Sequence, residues 1–410
     1  MWTSVFDRAM KKLIVRGRLR VTLPGGETRS YGPGGGRDVA ITIADRALVR
    51  QLMIAPEMGL GEGYMDGRLV IHDDALHDFM WLLLDNLNHA DYPALAKVLQ
   101  RGQQLMRRFA QFNPVGKAQA NVAHHYDLSG ALYDLFLDAD KQYSCAYFAK
   151  PDMSLEEAQA AKKHHIARKL RIKPGMRVLD IGCGWGGMGL TLARDYGAQV
   201  VGVTLSKEQH AVATRRAAEA GLSDRVDFRL TDYRHLDERF DRIVSVGMFE
   251  HVGVPHYREY FGHVHKFLAE DGIALIHTIG RIQPPGVTSP WILKYIFPGG
   301  YVPAMSEALA AIEKEDFFVT DVETWRLHYA ETLKHWYDRF MANDAKAEAL
   351  YDARFVRMWR FYLVASELMF RLRGQVVFQF QLTKSVDAVP LTRDYLYEGQ
   401  ARPAHLQAAE

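Results

Sequence analysis

Hydrophobic positions divide this chain into regions of different period. Leu19-Arg-Val-Thr-Leu23 and Val39-Ala-Ile-Thr-Ile43 alternate apolar and polar, which predicts two short strands separated by the turn Gly32-Pro-Gly-Gly-Gly36. Ala44 to Met53 and the strongly apolar Leu76 to Leu87 have helical spacing, with a loop predicted over Gly59 to Gly67. Together they predict a small α+β domain over residues 1–115. Its last segment, Tyr92 to Phe112, sets Lys97, Arg101, Arg107 and Arg108 beside Leu95, Val98, Leu99, Leu105, Met106 and Phe109 on a helix. A basic amphipathic helix either lies on an anionic membrane surface or carries a solvated face between domains. Asn113-Pro-Val-Gly116 ends it and marks the boundary.

Beyond the boundary, over residues 116–400, strand and helix alternate as an α/β fold requires. A helix over 155–171 leads to the strand opening at Arg177. Strands follow at Ala198–Thr204, Val226–Leu230, Asp241–Val246 and Gly272–His277, with helices from Lys207 and over 255–269. Regularity breaks over about 281–345, rich in Pro, Gly, Trp and Tyr, which predicts an insertion or cap. An apolar helix over 350–372 and a strand over Val376–Leu382 close the pattern.

The glycines after the opening strand carry the first chemistry. Arg177-Val-Leu-Asp-Ile-Gly-Cys-Gly-Trp-Gly-Gly-Met188 is a buried strand, a glycine turn and a helix start, the first unit of a nucleotide-binding sheet. Gly182, Gly184 and Gly186 let backbone approach a ligand where a Cβ would collide. Gly182, Gly184 and Gly187 also satisfy a dinucleotide pattern. The second strand ends in Thr204, however, where a dinucleotide fold wants an acid on the ribose. Asp180 as an acceptor near an ammonium, with Thr204 and Gln209 as ribose partners, suits S-adenosylmethionine better than NAD. Tyr233, just past the third strand, is placed to lie on an adenine ring, and Glu250 and His251 are polar groups in an apolar stretch past the fourth.

Composition narrows the setting. The 410 residues have an ordinary soluble profile, and a net charge of +2 carries no nucleic-acid signature. Arg8, Lys11, Lys12, Arg16, Arg18 and Arg20 nevertheless crowd the N-terminus against Asp7 alone. Cys145 and Cys183 have neither metal spacing nor a disulfide framework, which predicts no metal site and suits a reducing cytoplasm. Met80-Trp-Leu-Leu-Leu84 falls far short of the ~18–20 apolar residues that span a membrane. A cytoplasmic protein, peripherally associated with the inner face of the membrane, is expected.

Five blocks in order resemble the cyclopropane-fatty-acyl-phospholipid synthase family: Gln142–Tyr147, Val178–Gly187, Gly202–Ser206, Asp241–Gly253 and His277–Gly280. The resemblance runs from about His124 to Leu382, and weakly into Gly61–Gly67. It implies a Rossmann-like class I S-adenosylmethionine-dependent methyltransferase domain preceded by the small α+β domain. The extra N-terminal domain favours the phospholipid-acting branch over the related mycolic acid methyltransferases.

The implied reaction adds a methylene to a cis double bond of a phospholipid acyl chain. The alkene takes the methyl, and a carbocation on the chain then loses a proton from that methyl. Such a site must exclude water and hold one base. Trp291, Tyr295, Tyr301, Trp325, Tyr329, Trp336 and Tyr337 are candidate aromatic faces for the cation. The resemblance assigns a bicarbonate ion as the base, held at Cys145, Glu250, His277, Ile279 and Tyr329. It adds Tyr143, Ser144, Trp185, Leu205 and Asp232 to the cofactor site. One departure stands out, since several relatives carry a cysteine where this chain has Ser366, and the methyl-transfer step needs no covalent intermediate there. A methyl-branched product is the alternative within the family. An NAD-dependent oxidoreductase and a lipid carrier with a vestigial pocket are the rivals outside it. The sequence leaves a homodimer open.

Overall fold

The computed structural model describes residues 1–89 and 129–397. The basic helix expected over Tyr92 to Phe112 and the boundary at 115 lie outside the described residues.

The N-terminal region begins with an amphipathic helix α1 (Trp2–Leu13), which buries Phe6 and Met10. Strands β1 (Gly17–Thr22), β2 (Thr28–Gly34), β3 (Asp38–Ile43) and β4 (Leu69–Ile71) form one sheet in the order β2-β1-β3-β4. The expected glycine turn survives only at Gly35–Gly36, because an unexpected edge strand precedes it. The chain reverses at Leu23–Glu27, where the Gly26 amide donates to the Leu23 carbonyl, and Thr28–Gly34 is an antiparallel edge strand. Tyr31 is the only buried side chain of β2, so no alternation advertises it.

Helix α2 (Arg46–Ile54) starts at Asp45, whose carboxylate accepts from the Leu48 amide. Helix α3 (Pro56–Met65) replaces the loop expected over Gly59–Gly67. Its glycines are contact points rather than breaks. A Cβ on Gly59 would stand 3.0 Å from the Leu52 amide nitrogen, and one on Gly61 only 2.2 Å from the Trp291 indole nitrogen. Helix α4 (Leu76–His89) completes the region.

The larger sheet has the order β10-β11-β9-β8-β5-β6-β7. Its strands are β5 (Arg177–Ile181), β6 (Gln199–Thr204), β7 (Val226–Leu230), β8 (Phe240–Val246), β9 (Leu268–Arg281), β10 (Phe318–Trp325) and β11 (Gln375–Thr383). Five strands run parallel, and β10 and β11 close the edge antiparallel. Strand order reverses around β5, where ligands of such sheets bind.

Helices α5 (Gly130–Asp134), α6 (Leu155–Lys169), α7 (Gly187–Tyr196), α8 (Lys207–Glu219) and α9 (Tyr257–Phe267) fill the connections through β9. A capping box at Ser154 and Glu157 starts α6. The irregular 281–345 stretch contributes α10 (Pro290–Tyr295), α11 (Met305–Ile312) and α12 (His328–Met341) and, through β10, a strand of the main sheet. Most of β10 is exposed or half-buried, which hid its period. Helices α13 (Asp344–Leu350) and α14 (Ala353–Leu372) lead into β11.

One apolar cluster runs from the N-terminal sheet through α3 to α12 and α14. Trp291 packs edge-on to Phe361 at 4.9 Å and donates to the Met65 sulfur at 3.3 Å. Around it Arg357 Nε donates to the Met65 carbonyl, and Lys294 and Tyr295 meet Glu62. Among the described residues no helix is long and apolar enough to cross a membrane.

Candidate active site

Strand β5 delivers Asp180 to the carboxyl edge of the sheet, and the chain then turns through Gly182 at φ 81°. A Cβ on Gly182 would press on Met248 at 3.0 Å, so only glycine fits between the β5 and β8 loops. The cavity beyond is lined by eleven of the twelve residues assigned to the cofactor: Tyr143, Ser144, Asp180, Gly182, Gly184, Trp185, Thr204, Leu205, Gln209, Asp232 and Tyr233. Gly186 stays outside the lining. It caps α7 at φ 85°, where a Cβ would stand 2.6 Å from the Phe228 ring.

The polar groups of the cavity differ in what they leave free. Burial pushes the Asp180 carboxyl up to about 7, and its Oδ2 has no hydrogen-bond partner. Thr204 Oγ1 donates to Gln209 Oε1 at 3.0 Å, which leaves the Gln209 amide NH2 as the donor end of that pair. Asp232 is committed to Arg234, accepting from its backbone amide, Nε and Nη2 at 2.7–3.0 Å. Burial would raise the Asp232 carboxyl, but these bonds outweigh it and hold it below its usual value. Tyr233 stands edge-on to Tyr260 at 5.6 Å and forms one wall.

None of the five residues assigned to the base is part of this lining. Glu250 sits in the short turn Phe249–His251 after β8. Its Oε1 accepts from the Ile279 amide at 2.6 Å, and its Oε2 is buried without a partner. Burial pushes this carboxyl up to about 7. The Ile279 amide is therefore engaged by Glu250. His277, two residues before Ile279 on β9, pairs its Nδ1 with Gln379 Nε2 on β11 at 3.1 Å, and burial holds the ring well below its usual value, hence neutral.

Cys145 lies in an irregular stretch and Tyr329 on α12. The Cys145 thiol donates to the Ala146 carbonyl and burial pushes its pKa up, so it remains a thiol. The Ala146 amide donates to Thr332 Oγ1 at 3.0 Å, tying this segment to α12 one turn past Tyr329. Tyr329 packs against Trp336 and Phe370 at 5.8 and 4.9 Å. Trp336 also leans on Tyr143 at 5.1 Å, and the Tyr143 and Tyr362 hydroxyls lie 3.0 Å apart. The candidate aromatic faces thus divide. Tyr329 and Trp336 adjoin the cofactor wall, Trp325 meets His277 edge-on at 5.1 Å, and Trp291 belongs to the N-terminal contact.

Two groups escaped the sequence reading. His251, singled out there only as polar, lines the cavity, where burial lowers it to about 4 and keeps it neutral. Lys162, on the buried face of α6, was not singled out; a charged residue four positions after Ala158 on an apolar face was the available signal.

The family described as mycolic acid cyclopropane synthetase matches residues 115–380. The cyclopropane-fatty-acyl-phospholipid synthase of Escherichia coli K12 is 39% identical over 360 residues, covering 85% of this chain and 88% of that one. A probable fatty acid methyltransferase of Pseudomonas putida is 38% identical over 360 residues, covering 86% and 88%. Among solved structures, the cyclopropane synthase MmaA2 of Mycobacterium tuberculosis superposes with a TM-score of 0.62 at 34% identity, over 66% of this chain and 99% of that one. The mycolic acid cyclopropane synthase CmaA1, in complex with SAH and CTAB, gives 0.62 at 36% identity over the same shares.

Proposed function

This chain belongs to the mycolic acid cyclopropane synthetase family of Rossmann-like, S-adenosylmethionine-dependent methyltransferases, and from that premise we propose that it builds cyclopropane rings on the unsaturated acyl chains of phospholipids. The observation that carries the phospholipid reading is coverage. The Escherichia coli phospholipid synthase matches 85% of the chain, including N-terminal residues, whereas the mycolic acid structures match 66%.

The cavity residues fit the cofactor. The free Asp180 oxygen is the acceptor for an ammonium, the Gln209 amide a donor for ribose, and the Tyr233 wall a face for adenine. When bound, S-adenosylmethionine supplies an electrophilic methyl group. The protein's part is then to keep water from a carbocation on the acyl chain and to remove one proton from the added methyl. Tyr329 and Trp336 offer apolar faces that stabilise a cation by ~0.5–2 kcal/mol. In this reading neutral His277 and the Tyr329 hydroxyl are the donors for a bicarbonate ion, Glu250 Oε2 is the acceptor for its proton, and the Cys145 and Ile279 backbones complete its holders; the Glu250–Ile279 bond and the neutral His277 support it. The match to the Pseudomonas putida methyltransferase supports a second reading, in which the proton leaves from the chain and a methyl branch results.

The deciding experiment incubates the protein with S-adenosylmethionine and monounsaturated phospholipid vesicles and analyses the fatty acids by mass spectrometry. A gain of CH2 that co-elutes with a cyclopropane standard is expected. The same mass at another retention time supports the branched product, and no mass gain overturns both readings.

We also propose that the basic N-terminus meets an anionic membrane surface. Lys11 and Arg18 already have acidic neighbours, Asp7 at 2.8 Å and Asp38 at 3.7 Å, which reduce the net attraction. Neutralising Lys11, Lys12, Arg16 and Arg18 together is expected to weaken sedimentation with anionic vesicles about 10-fold at low salt, below the full ~1 kcal/mol per residue. Unchanged sedimentation would remove the N-terminus from the membrane contact.

A further inference from the structure

Residues Lys141 to Phe148 have no regular secondary structure, yet four of them, Lys141, Gln142, Tyr143 and Ser144, line the cavity. What holds this strip is α6. Gln159 Nε2 donates to the carbonyls of Gln142 and Ser144 at 3.2 and 2.9 Å. One turn further along, Lys162 Nζ donates to Gln142 Oε1 at 2.9 Å and to Ser144 Oγ at 2.7 Å. Lys162 is fully buried, and the carboxylates of Asp138 and Asp140 act on it only from a distance. An ammonium without a direct counter-ion is expensive to bury and needs a reason.

The direction of the hydrogen bonds supplies one. A lysine ammonium only donates, so Ser144 Oγ must accept, and the serine proton points elsewhere. Likewise Gln142 Oε1 faces the lysine while its Nε2 donates to Asp140 at 3.1 Å. Ser144 and Gln142 both line the cavity. We propose that Lys162 is a positioning residue that turns Ser144 into an outward donor and, with its charge behind that donor, selects the carboxylate of the amino-acid part of S-adenosylmethionine. The unpartnered oxygen of Asp180 provides the opposite polarity for the ammonium of the same moiety. Burial lowers the Lys162 pKa only to about 8, so at neutral pH most of the charge is present, and it is felt at Asp180.

The inference rests on the cofactor reading, and the test separates the two. Binding of S-adenosylhomocysteine and of 5′-methylthioadenosine, which keeps the adenosine and sulfur but lacks the amino-acid group, is measured by calorimetry on the full chain. Wild-type binding of S-adenosylhomocysteine tests the cofactor reading, and its absence overturns both. In Lys162→Met the affinity for S-adenosylhomocysteine is expected to fall about 10- to 100-fold, the usual range for a lost charge-assisted bond, while that for methylthioadenosine stays within about threefold. Equal losses for both ligands would mean that Lys162 serves only to keep the strip folded, and no loss would mean it serves neither; each result overturns the proposal. Ser144→Ala provides a second route should Lys162→Met not fold. It must reproduce the selective loss, and an unchanged ratio of the two affinities would remove the relay through the hydroxyl.

Discussion

Glu250→Gln is expected to lower turnover by about 100-fold or more, the range for losing an acid–base group, with S-adenosylmethionine affinity unchanged. The substitution keeps the shape and the oxygen that accepts from the Ile279 amide at 2.6 Å. It replaces Oε2, the buried oxygen without a partner, by an NH2 that accepts nothing. A pH profile gives a second signature. Burial raises this carboxyl from 4.5 to about 7, so wild-type activity should fall as pH drops through about 7, and any residual activity of the variant should lack that limb. The sign of the stability effect is opposite. Because the fold favours the protonated acid, Glu250 contributes stability that is present below 4.5 and lost as pH rises through about 7. At pH 8 the glutamine variant should therefore melt no lower than wild type. Steady-state rates with thermal melts at two pH values check all three points, and unchanged turnover would remove Glu250 from the base.

Gly61→Val should be the most damaging single change away from the site. Valine is a better helix former than glycine, by a few tenths of a kcal/mol. Against that, the new Cβ would stand 2.2 Å from Trp291 Nε1. That indole cannot easily retreat, being 2% exposed and held by the Met65 sulfur and the Phe361 edge. Overpacking of this kind costs roughly 1–3 kcal/mol or more, so the clash wins. A melting point lower by several degrees is expected, together with easier proteolysis in α3. Trp291→Ala in the same chain should recover part of the loss, since the two substitutions share one contact. Additive losses would show that the Gly61–Trp291 contact is not the cause.

Gly61 also shows where the sequence stopped being legible. Its glycine-rich neighbourhood reads locally as a loop, and only Trp291, far along the chain, explains why a helix there needs no side chains. Strand β10 was hidden for a related reason, because its half-exposed residues acquire a partner only when β11 arrives. By contrast, β5, β6 and β8 are buried on both faces and read directly as apolar runs, as did the glycine turn after Asp180. The cavity opens at those strand ends, so Asp180, Gly182, Gly184, Thr204, Gln209 and Tyr233 could be named from spacing, whereas Tyr143, Ser144, Trp185, Leu205 and Asp232 came from the family motifs. Cys145, His277 and Tyr329 could not be named from spacing either. Each looks like ordinary core in sequence, and only family motifs singled them out. Lys162 was lost because a lysine on a helix is by default a surface residue.

Among the described residues β11 is the last strand in chain order, yet it lies inside the sheet between β10 and β9. A ribosome delivers the chain from its N-terminal end, and what has emerged can begin to fold. The crevice between β5, β6 and β8 can therefore assemble early in synthesis. His277 meets Gln379 only after β11 has emerged and slotted in. The nascent protein would form the crevice beside Asp180 before β11 fixes the ring of His277.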